Sequence, residues 1–562
     1  MSASETPSMT PPSGNNLKLD HDILWIIFSI ITSHYPSPTE PSDTLDAGPL
    51  TIIRRCSQVC SFWRDFILSS ESIWAKCIGL DCLAQGNNDW RAEVLRRTGD
   101  VVPLQIFDVL LAYEKGLDDE KVLSAFSRPA PRLEEFSIRS ENHSIDIWRP
   151  SVFSLPYFQL FSNIAPNLTR FCLYSHTYRM ILPIQFRPFP LVLLTPRLRS
   201  LTIFERLSLS SADLLVICSQ IPNLEMLHIS IPSLEDDANT LSSSSRHVTL
   251  PRLHAIHIAS EKLQIYPEFL GRIVTRVGCS VSVATRLDRS EHQFTDAGTR
   301  IFLDMLSLFQ RHWNEYFDSR QHEDKSVVSI ELSVFPRILD VKVNVHDHYH
   351  PRLYLKAPSR QEFPHETHNS VLNAISTLKF PTTLARAKIS FISKHPQLNS
   401  DTLGRLCGAL GSITKLSTTS LFLLRLSQAT TLKVSDLFPF LKTISLYMEE
   451  AYYHDGATYI KPFFINRHSK APIEILNIFD EHCRASLGNL EFLDELAGMK
   501  VIWRQLDIDL ISQTSEYVCG SGRPEELDYF ANYMIDFSTG KAVRVTEEEL
   551  RLFKMEMRGR GR

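Results

Sequence analysis

The chain has 562 residues, room for roughly three to four ordinary domains or one long repeat array. With 43 % hydrophobic and 22 % charged residues, 20 Gly and 31 Pro, its composition is that of a packed chain and excludes a disordered or collagen-like one. Lys and Arg number 59 against 64 Asp and Glu, a net charge of −5 that excludes a global basic field, so no nucleic-acid partner is expected.

Residues 1–16 are rich in Ser, Thr and Pro without an apolar core, which reads as a solvated tail with no pattern of a signal peptide. The ten cysteines form no Cys-x-x-Cys pair, which suits a reducing compartment. The most apolar stretch, Ile181 to Leu194, is broken by Pro183, Arg187, Pro188 and Pro190 and falls short of the roughly 20 apolar residues of a membrane span. The expectation is a soluble protein of the cytoplasm, the nucleus or both, with no membrane partner.

From Leu17 to about residue 80 the pattern is helical. Leu19, Ile23, Leu24, Ile27, Phe28 and Ile31 recur at helical spacing, with Asp20 and Asp22 in the first turn, where carboxylates oppose the exposed amides. The segment from Ser33 to Pro49 carries four prolines and reads as a loop. A second stripe then runs from Leu50 through Ile53, Cys56, Val59, Cys60, Trp63, Phe66 and Ile67. Residues 81–128 read as a helical linker or cap.

From about residue 129 a template recurs: Pro, one residue, apolar, two residues, apolar, one residue, apolar. It begins at Pro131, Pro166, Pro196, Pro222, Pro251, Pro336 and Pro439, seven matches where chance placement gives about 2.5. The first five of these prolines follow one another at intervals of roughly 25–35 residues, the period of stacked units with one short strand each. Helices are expected between them at Ser211 to Gln220, Tyr266 to Val277, Asp296 to Phe317, Asp401 to Gly411 and Cys483 to Met499. Weaker strands are expected around Ile389 and Phe391, Leu416 and Leu421, Leu476 and Ile478, and Leu506 and Ile508. The array should span 129–515, with a surface insertion from Glu235 to His247. Residues 516–562 read as a hairpin around Ser538-Thr539-Gly540, a helix from Thr546 and a basic tip of Arg558, Arg560 and Arg562.

Within the array, strand alternation turns Ser137, Cys172, Thr202, His228, His257, Lys342 and Ser445 away from the buried template positions, followed two residues on by Tyr174, Phe204 and Tyr447. Tyr174, Phe204, His228, His257 and Tyr447 are therefore the candidate partner-binding residues.

The helical block resembles an F-box domain. Leu19-Asp20-His21-Asp22-Ile23-Leu24-Trp25-Ile26-Ile27-Phe28 is similar to that family's opening helix. Arg55-Cys56-Ser57-Gln58-Val59-Cys60-Ser61-Phe62-Trp63-Arg64, followed by Leu68-Ser69-Ser70-Glu71-Ser72-Ile73-Trp74, resembles its second half. Asp20 stands where the family usually has Pro, and the loop from Ser33 to Pro49 lengthens the first connection. The resemblance extends from Leu19 to Trp74 and implies a three-helix module. It implies docking on a Skp-type adaptor, and through it on a cullin-RING ubiquitin ligase, with Leu19, Ile23, Leu24, Ile27, Val59 and Trp63 facing the adaptor. The array resembles divergent leucine-rich repeats of the kind that follow F-box modules in many fungal proteins, although it lacks a consistent Asn after each strand. The expected fold class is therefore α/β, a helical F-box module followed by an irregular leucine-rich-repeat-like solenoid.

No phosphate loop, dinucleotide fingerprint, nucleophile elbow or zinc helix is present in the sequence. His365-Glu366-Thr367-His368 is one residue too short for the zinc motif and reads as loop, and His346, His348 and His350 read as an exposed turn. The chain is expected to be no enzyme and to need no cofactor or metal. By resemblance it is a substrate receptor of an SCF-type ubiquitin ligase; the alternative is a repeat scaffold without ligase function whose helical block caps the array.

Overall fold

In the computed structural model, residues 20–33, 49–79, 88–107, 130–140, 165–175, 195–204, 209–231, 234–235, 247–260, 265–285, 296–319, 328–334, 338–345, 353–358, 365–378, 380, 384–391, 398–429, 433–447, 456–479, 490–506, 512–524, 526–527, 533–536 and 541–544 are described. The expected tail at 1–16, Leu19, the alternating histidines at 346–350, the helix from Thr546 and the basic tip lie outside these residues. The chain divides into two compact units, residues 1–182 with 188–198, and residues 183–187 with 199–562.

The first unit begins with helices α1 (His21–Ser33), α2 (Pro49–Cys56), α3 (Ser61–Ser69), α4 (Glu71–Lys76) and α5 (Asn88–Arg97). The stripe from Leu50 to Ile67 is shared between α2 and α3. Ser57 donates its hydroxyl to the Arg54 carbonyl at 2.7 Å, competing with helix continuation. Cys60 is extended, and its sulfur accepts from the Trp63 amide to cap α3. Leu24, Phe28, Leu50, Ile53, Ile67, Ile73 and Trp74 form a core, closed by Phe28 edge-on to Trp63 at 5.3 Å and by His21 stacked on Phe62 and Phe66. The block does not stand apart from the strands: α2 packs on β1 (Ile78–Gly79) and α4 on β2 (Leu104–Phe107). β3 (Leu133–Ser140) and β4 (Arg170–Ser175) continue a parallel sheet β1–β2–β3–β4.

The second unit carries β5 (Ser200–Phe204), β6 (Met226–Ile231), β7 (Ala255–Ser260), β8 (Ser280–Thr285), β9 (Val328–Val334), β10 (Ile338–Val345), β11 (Leu353–Pro358), β12 (Leu384–Phe391), β13 (Lys415–Thr418), β14 (Thr443–Tyr447), β15 (Ile475–Phe479), β16 (Lys500–Leu506) and β17 (Ser512–Val518). Their order is β5–β6–β7–β8–β11–β10–β9–β12–β13–β14–β15–β16–β17. Pairing is parallel except around β10 and at the β16–β17 edge. The Pro336 match, expected to be one more stacked parallel unit, is β10, the antiparallel centre of a β9–β10–β11 meander. β11 returns to pair with β8 and β9 pairs with β12, so the meander sits between consecutive parallel strands.

The repeat template has a direct structural meaning. In Ala165–Leu168, Thr195–Leu198, Ile221–Leu224, Leu250–Leu253 and Phe438–Leu441 the fourth residue's amide donates to the first residue's carbonyl at 3.0–3.2 Å. Proline is second in each, where its fixed φ suits a turn and its missing N–H costs nothing. The turn drops the leucine into the core, and all five leucines are at most 2 % exposed; each contributes roughly 1.5–3 kcal/mol of burial. After the turn the chain is tied to the preceding strand, as in Thr169 to Glu134, His254 to Glu225, Thr414 to Ala385 and Glu474 to Lys442, at 2.8–3.0 Å. Hydroxyls do part of the work that a consistent Asn would do: Thr414 Oγ1 donates to the Ala385 carbonyl and buried Thr418 and Thr419 to those of Ile389 and Phe391.

The second unit's helices are α6 (Ser211–Gln220), α7 (Ile265–Arg272), α8 (Asp296–Ser319), α9 (His365–Ser376), α10 (Ser400–Ala409), α11 (Ser420–Gln428) and α12 (Gly456–His468). α7 ends before the expected Val277, giving way to a strand, Ile273–Thr275, paired with Val248–Leu250. Leu421, expected in a strand, lies in the first turn of α11. Of the helix expected from Cys483 to Met499, the described part holds a 3-10 turn, Glu491–Glu495. His365-Glu366-Thr367-His368, read as loop, is the first turn of α9, which buries Val371, Leu372 and Ile375. Near the C-terminus, Tyr533–Asp536 pairs antiparallel with Lys541–Arg544.

Candidate functional site

Helix α1 is apolar on two adjacent stripes. Leu24, Phe28 and Thr32, spaced i, i+4 and i+8, are buried, whereas Ile23, Ile26 and Ile30, spaced i, i+3 and i+7, are 46, 52 and 50 % exposed. Ile27 between them is half-buried. Trp25, also partly exposed, ties α1 to α4: its indole N–H donates to Ser72 Oγ at 3.1 Å and its ring lies 5.3 Å from Lys76 Nζ. Of the residues assigned to an adaptor, Ile23 and Val59 are thus exposed, Val59 in the turn between α2 and α3. Leu24 is a correction: it is fully buried and holds the block together. Trp63 is half-buried, its ring edge against Phe28. The sequence reading misses Trp25, Ile26 and Ile30, although the isoleucines at 23, 26, 27 and 30 are a helical stripe in their own right.

In the second unit the template apolars turn to the buried side, and the residues between them form one row on the other face. In register across β5 to β17 these are Thr202, His228, His257, Ser282, Tyr354, Lys342, Glu331, Lys388, Ser417, Ser445, Asn477, Ile502 and Glu516. His228 and His257 meet on neighbouring strands with ring centres 4.0 Å apart, and His257 Nδ1 lies 2.7 Å from Ser282 Oγ. Lys342 Nζ is 3.2 Å from Glu331 Oε2. Tyr447, two residues beyond Ser445, has Lys388 Nζ 4.7 Å from its ring centre. Tyr174 and Phe204 lie in strands β4 and β5, in different units; their side chains are outside the described residues. Among the candidates whose side chains are described, His228 and His257 are brought together, and Tyr447, on β14, lies apart from them along the row.

No family model matches the chain, and no curated protein matches it. Among solved structures, the leucine-rich repeat-containing protein LegL7 from Legionella pneumophila is similar over 75 % of this chain and 97 % of that chain, at 11 % identity and a TM-score of 0.24. The architecture is decided by the turn-and-strand unit described above, repeated with parallel pairing. The chain has an α/β repeat fold. Such a fold offers a broad, solvent-facing sheet surface to which each unit contributes one position, a geometry suited to contact with another macromolecule. Among the described residues no group of three or more His, Cys, Asp or Glu side chains could hold a metal, and no helix is long and apolar enough to cross a membrane.

Proposed function

We propose that the chain is a substrate receptor of an SCF-type cullin-RING ubiquitin ligase, docking on a Skp-type adaptor through the helical block and holding a protein substrate on the repeat sheet. The observation that carries the reading is the exposed stripe Ile23, Ile26 and Ile30 on a helix already anchored by Leu24 and Phe28. Three half-exposed isoleucines in one row are a surface that gains by burial against a partner helix. In this reading Val59 extends the contact, Ile27 supports it and Trp63, its ring edge against Phe28, braces α1. The chain needs no catalytic side chain, because its work is to raise the local concentration of a substrate lysine beside the ligase's conjugate.

A second reading is favoured by a different observation, the packing of α2 on β1 and of α4 on β2. The helical block then caps the first strands of a protein-interaction scaffold that has no ligase partner. The full chain, co-expressed with a Skp-type adaptor, separates the two. A 1:1 complex that Ile26→Asp and Ile30→Asp each weaken by about 100-fold, with unchanged thermal melting, supports the receptor. A folded chain that binds no adaptor at roughly 10 μM overturns it and leaves the capped scaffold.

A further inference from the structure

Strands β12 and β13 place Arg386, Lys388 and Lys415 on the face opposite the buried Leu384, Ala387, Ile389 and Leu416. Arg386 is in register with Lys415 on the neighbouring strand, about 4.8 Å away between backbones, and Lys388 lies two residues along, about 6.6 Å from Arg386. Arg386 and Lys415 are exposed, and Lys388 is half-buried. Among the described residues none of the three forms an ion pair. The acid nearest in register, Glu331 beside Lys388, is paired with Lys342. On other strands, cations at the same kind of position are matched by acids on the next strand, as Arg170 with Glu135 and Lys500 with Glu516. A chain of net charge −5 that gathers three cations without acids on two adjacent strands has a local field of the opposite sign to its whole.

We propose that this face of β12 and β13 binds an extended acidic peptide segment, one with carboxylates at alternate positions. Side chains on one side of an extended peptide repeat about every 6.6 Å, which matches the separation of Arg386 and Lys388. Ser417, half-buried and next to Lys388 in the row, adds a hydroxyl donor. The ring of Tyr447 holds the Lys388 ammonium across the intervening strand β13, which orders the lysine before a ligand arrives. This names the substrate chemistry of the repeat sheet and rests on the reading of that sheet as a protein-binding surface, but not on the adaptor contact.

The test uses the full chain and a fluorescein-labelled ten-residue peptide of alternating Glu and Ser, followed by anisotropy, with the Gln-Ser peptide and a thymidine oligonucleotide as competitors. The expected result is saturable binding that Arg386→Glu with Lys415→Glu weakens by about tenfold or more and that rising salt weakens progressively. Lys442→Gln, which removes a lysine already paired with Glu474 at 2.8 Å, should change it by less than about twofold. Equal affinity for the Gln-Ser peptide, indifference to the double substitution, or stronger displacement by the oligonucleotide than by unlabelled Glu-Ser peptide would overturn the proposal. Because adaptor binding is measured separately on the same double variant, loss of peptide binding with adaptor binding intact locates the failure or success in the sheet alone.

Discussion

The guanidinium of Arg467, fully buried at the end of α12, donates from Nη2 to the carbonyl of Phe438 across 2.7 Å. It also donates to the Leu437 and Leu441 carbonyls. Phe438 opens the Pro439 turn with φ +50°, the one positive φ at a non-glycine among the described residues, so the arginine secures a turn that the backbone alone disfavours. Burial lowers the Arg467 pKa to about 10, yet the side chain stays charged at neutral pH. Arg467→Met keeps the stem and strands buried carbonyls, each worth about 1–3 kcal/mol. The urea midpoint of the variant should fall, with a loss on the order of 3 kcal/mol; an unchanged midpoint would mean that water replaces the arginine without cost.

The repeat was legible because its signature is local. Pro166, Pro196, Pro222, Pro251 and Pro439 announce a turn, the leucine two residues on enters the core, and two more apolars at alternate positions line a strand, all within a short stretch of chain. Strand direction is not local, which is why the Pro336 match could not reveal that β10 runs antiparallel between β9 and β11. The same limit applies to the charged site: Arg386 and Lys415 belong to successive repeat units and meet only through parallel register. In the helical block the Leu24 assignment failed for another reason. A helix apolar on two adjacent stripes does not say which stripe it buries, and here Leu24 and Phe28 go inward while Ile23, Ile26 and Ile30 remain outside.

At the β16–β17 edge, Asp494 Oδ1 accepts from the Tyr517 hydroxyl and from the Gly520 amide, each at 2.6 Å. The Tyr517 hydrogen bond, aided by backbone amides of residues 520–522, holds the Asp494 carboxyl below its ordinary value. A depressed carboxylate stabilises the fold above its ordinary pKa, and the stabilisation is lost as pH falls through the lowered value. Asp494→Asn should therefore lower the melting temperature at pH 7, and the gap from the parent chain should close as the solution is acidified. Gly520 has φ +84°, and an added Cβ would lie 3.0 Å from that of Ala497. Gly520→Ala should cost at least about 1–2 kcal/mol whatever the pH, so a melting series against pH distinguishes the carboxylate's contribution from that of the turn.

The described cysteines differ sharply in exposure. Cys60 is exposed, whereas Cys77, Cys218, Cys279, Cys407 and Cys519 are buried. Burial pushes the thiols of Cys218, Cys279 and Cys519 up to about 12, and those of Cys77 and Cys407 higher still. Thiolate is the reactive form, so at pH 8 a thiol reagent should modify Cys60 within minutes and leave these five until urea unfolds the chain. Peptide mapping after timed labelling reads this directly. Early modification of Cys407 would mean that α10 opens locally without global unfolding.

The two stripes of α1 give the sharpest separation of stability from docking. Leu24 is fully buried, as is Phe28, so Leu24→Ala leaves a cavity in the helical core and should cost about 2–5 kcal/mol. Ile30, half-exposed one stripe away, fills no cavity, and Ile30→Ala should change stability by no more than about 0.5 kcal/mol. Denaturant unfolding of the two variants, followed by circular dichroism, measures both. If Ile30→Ala destabilised the chain as strongly as Leu24→Ala, its stripe would already be covered within the protein, and the surface offered to a partner would have to be sought elsewhere. If only Leu24→Ala does so, the isoleucine row is retained at the surface for no gain in folding, and its free energy is available to an association.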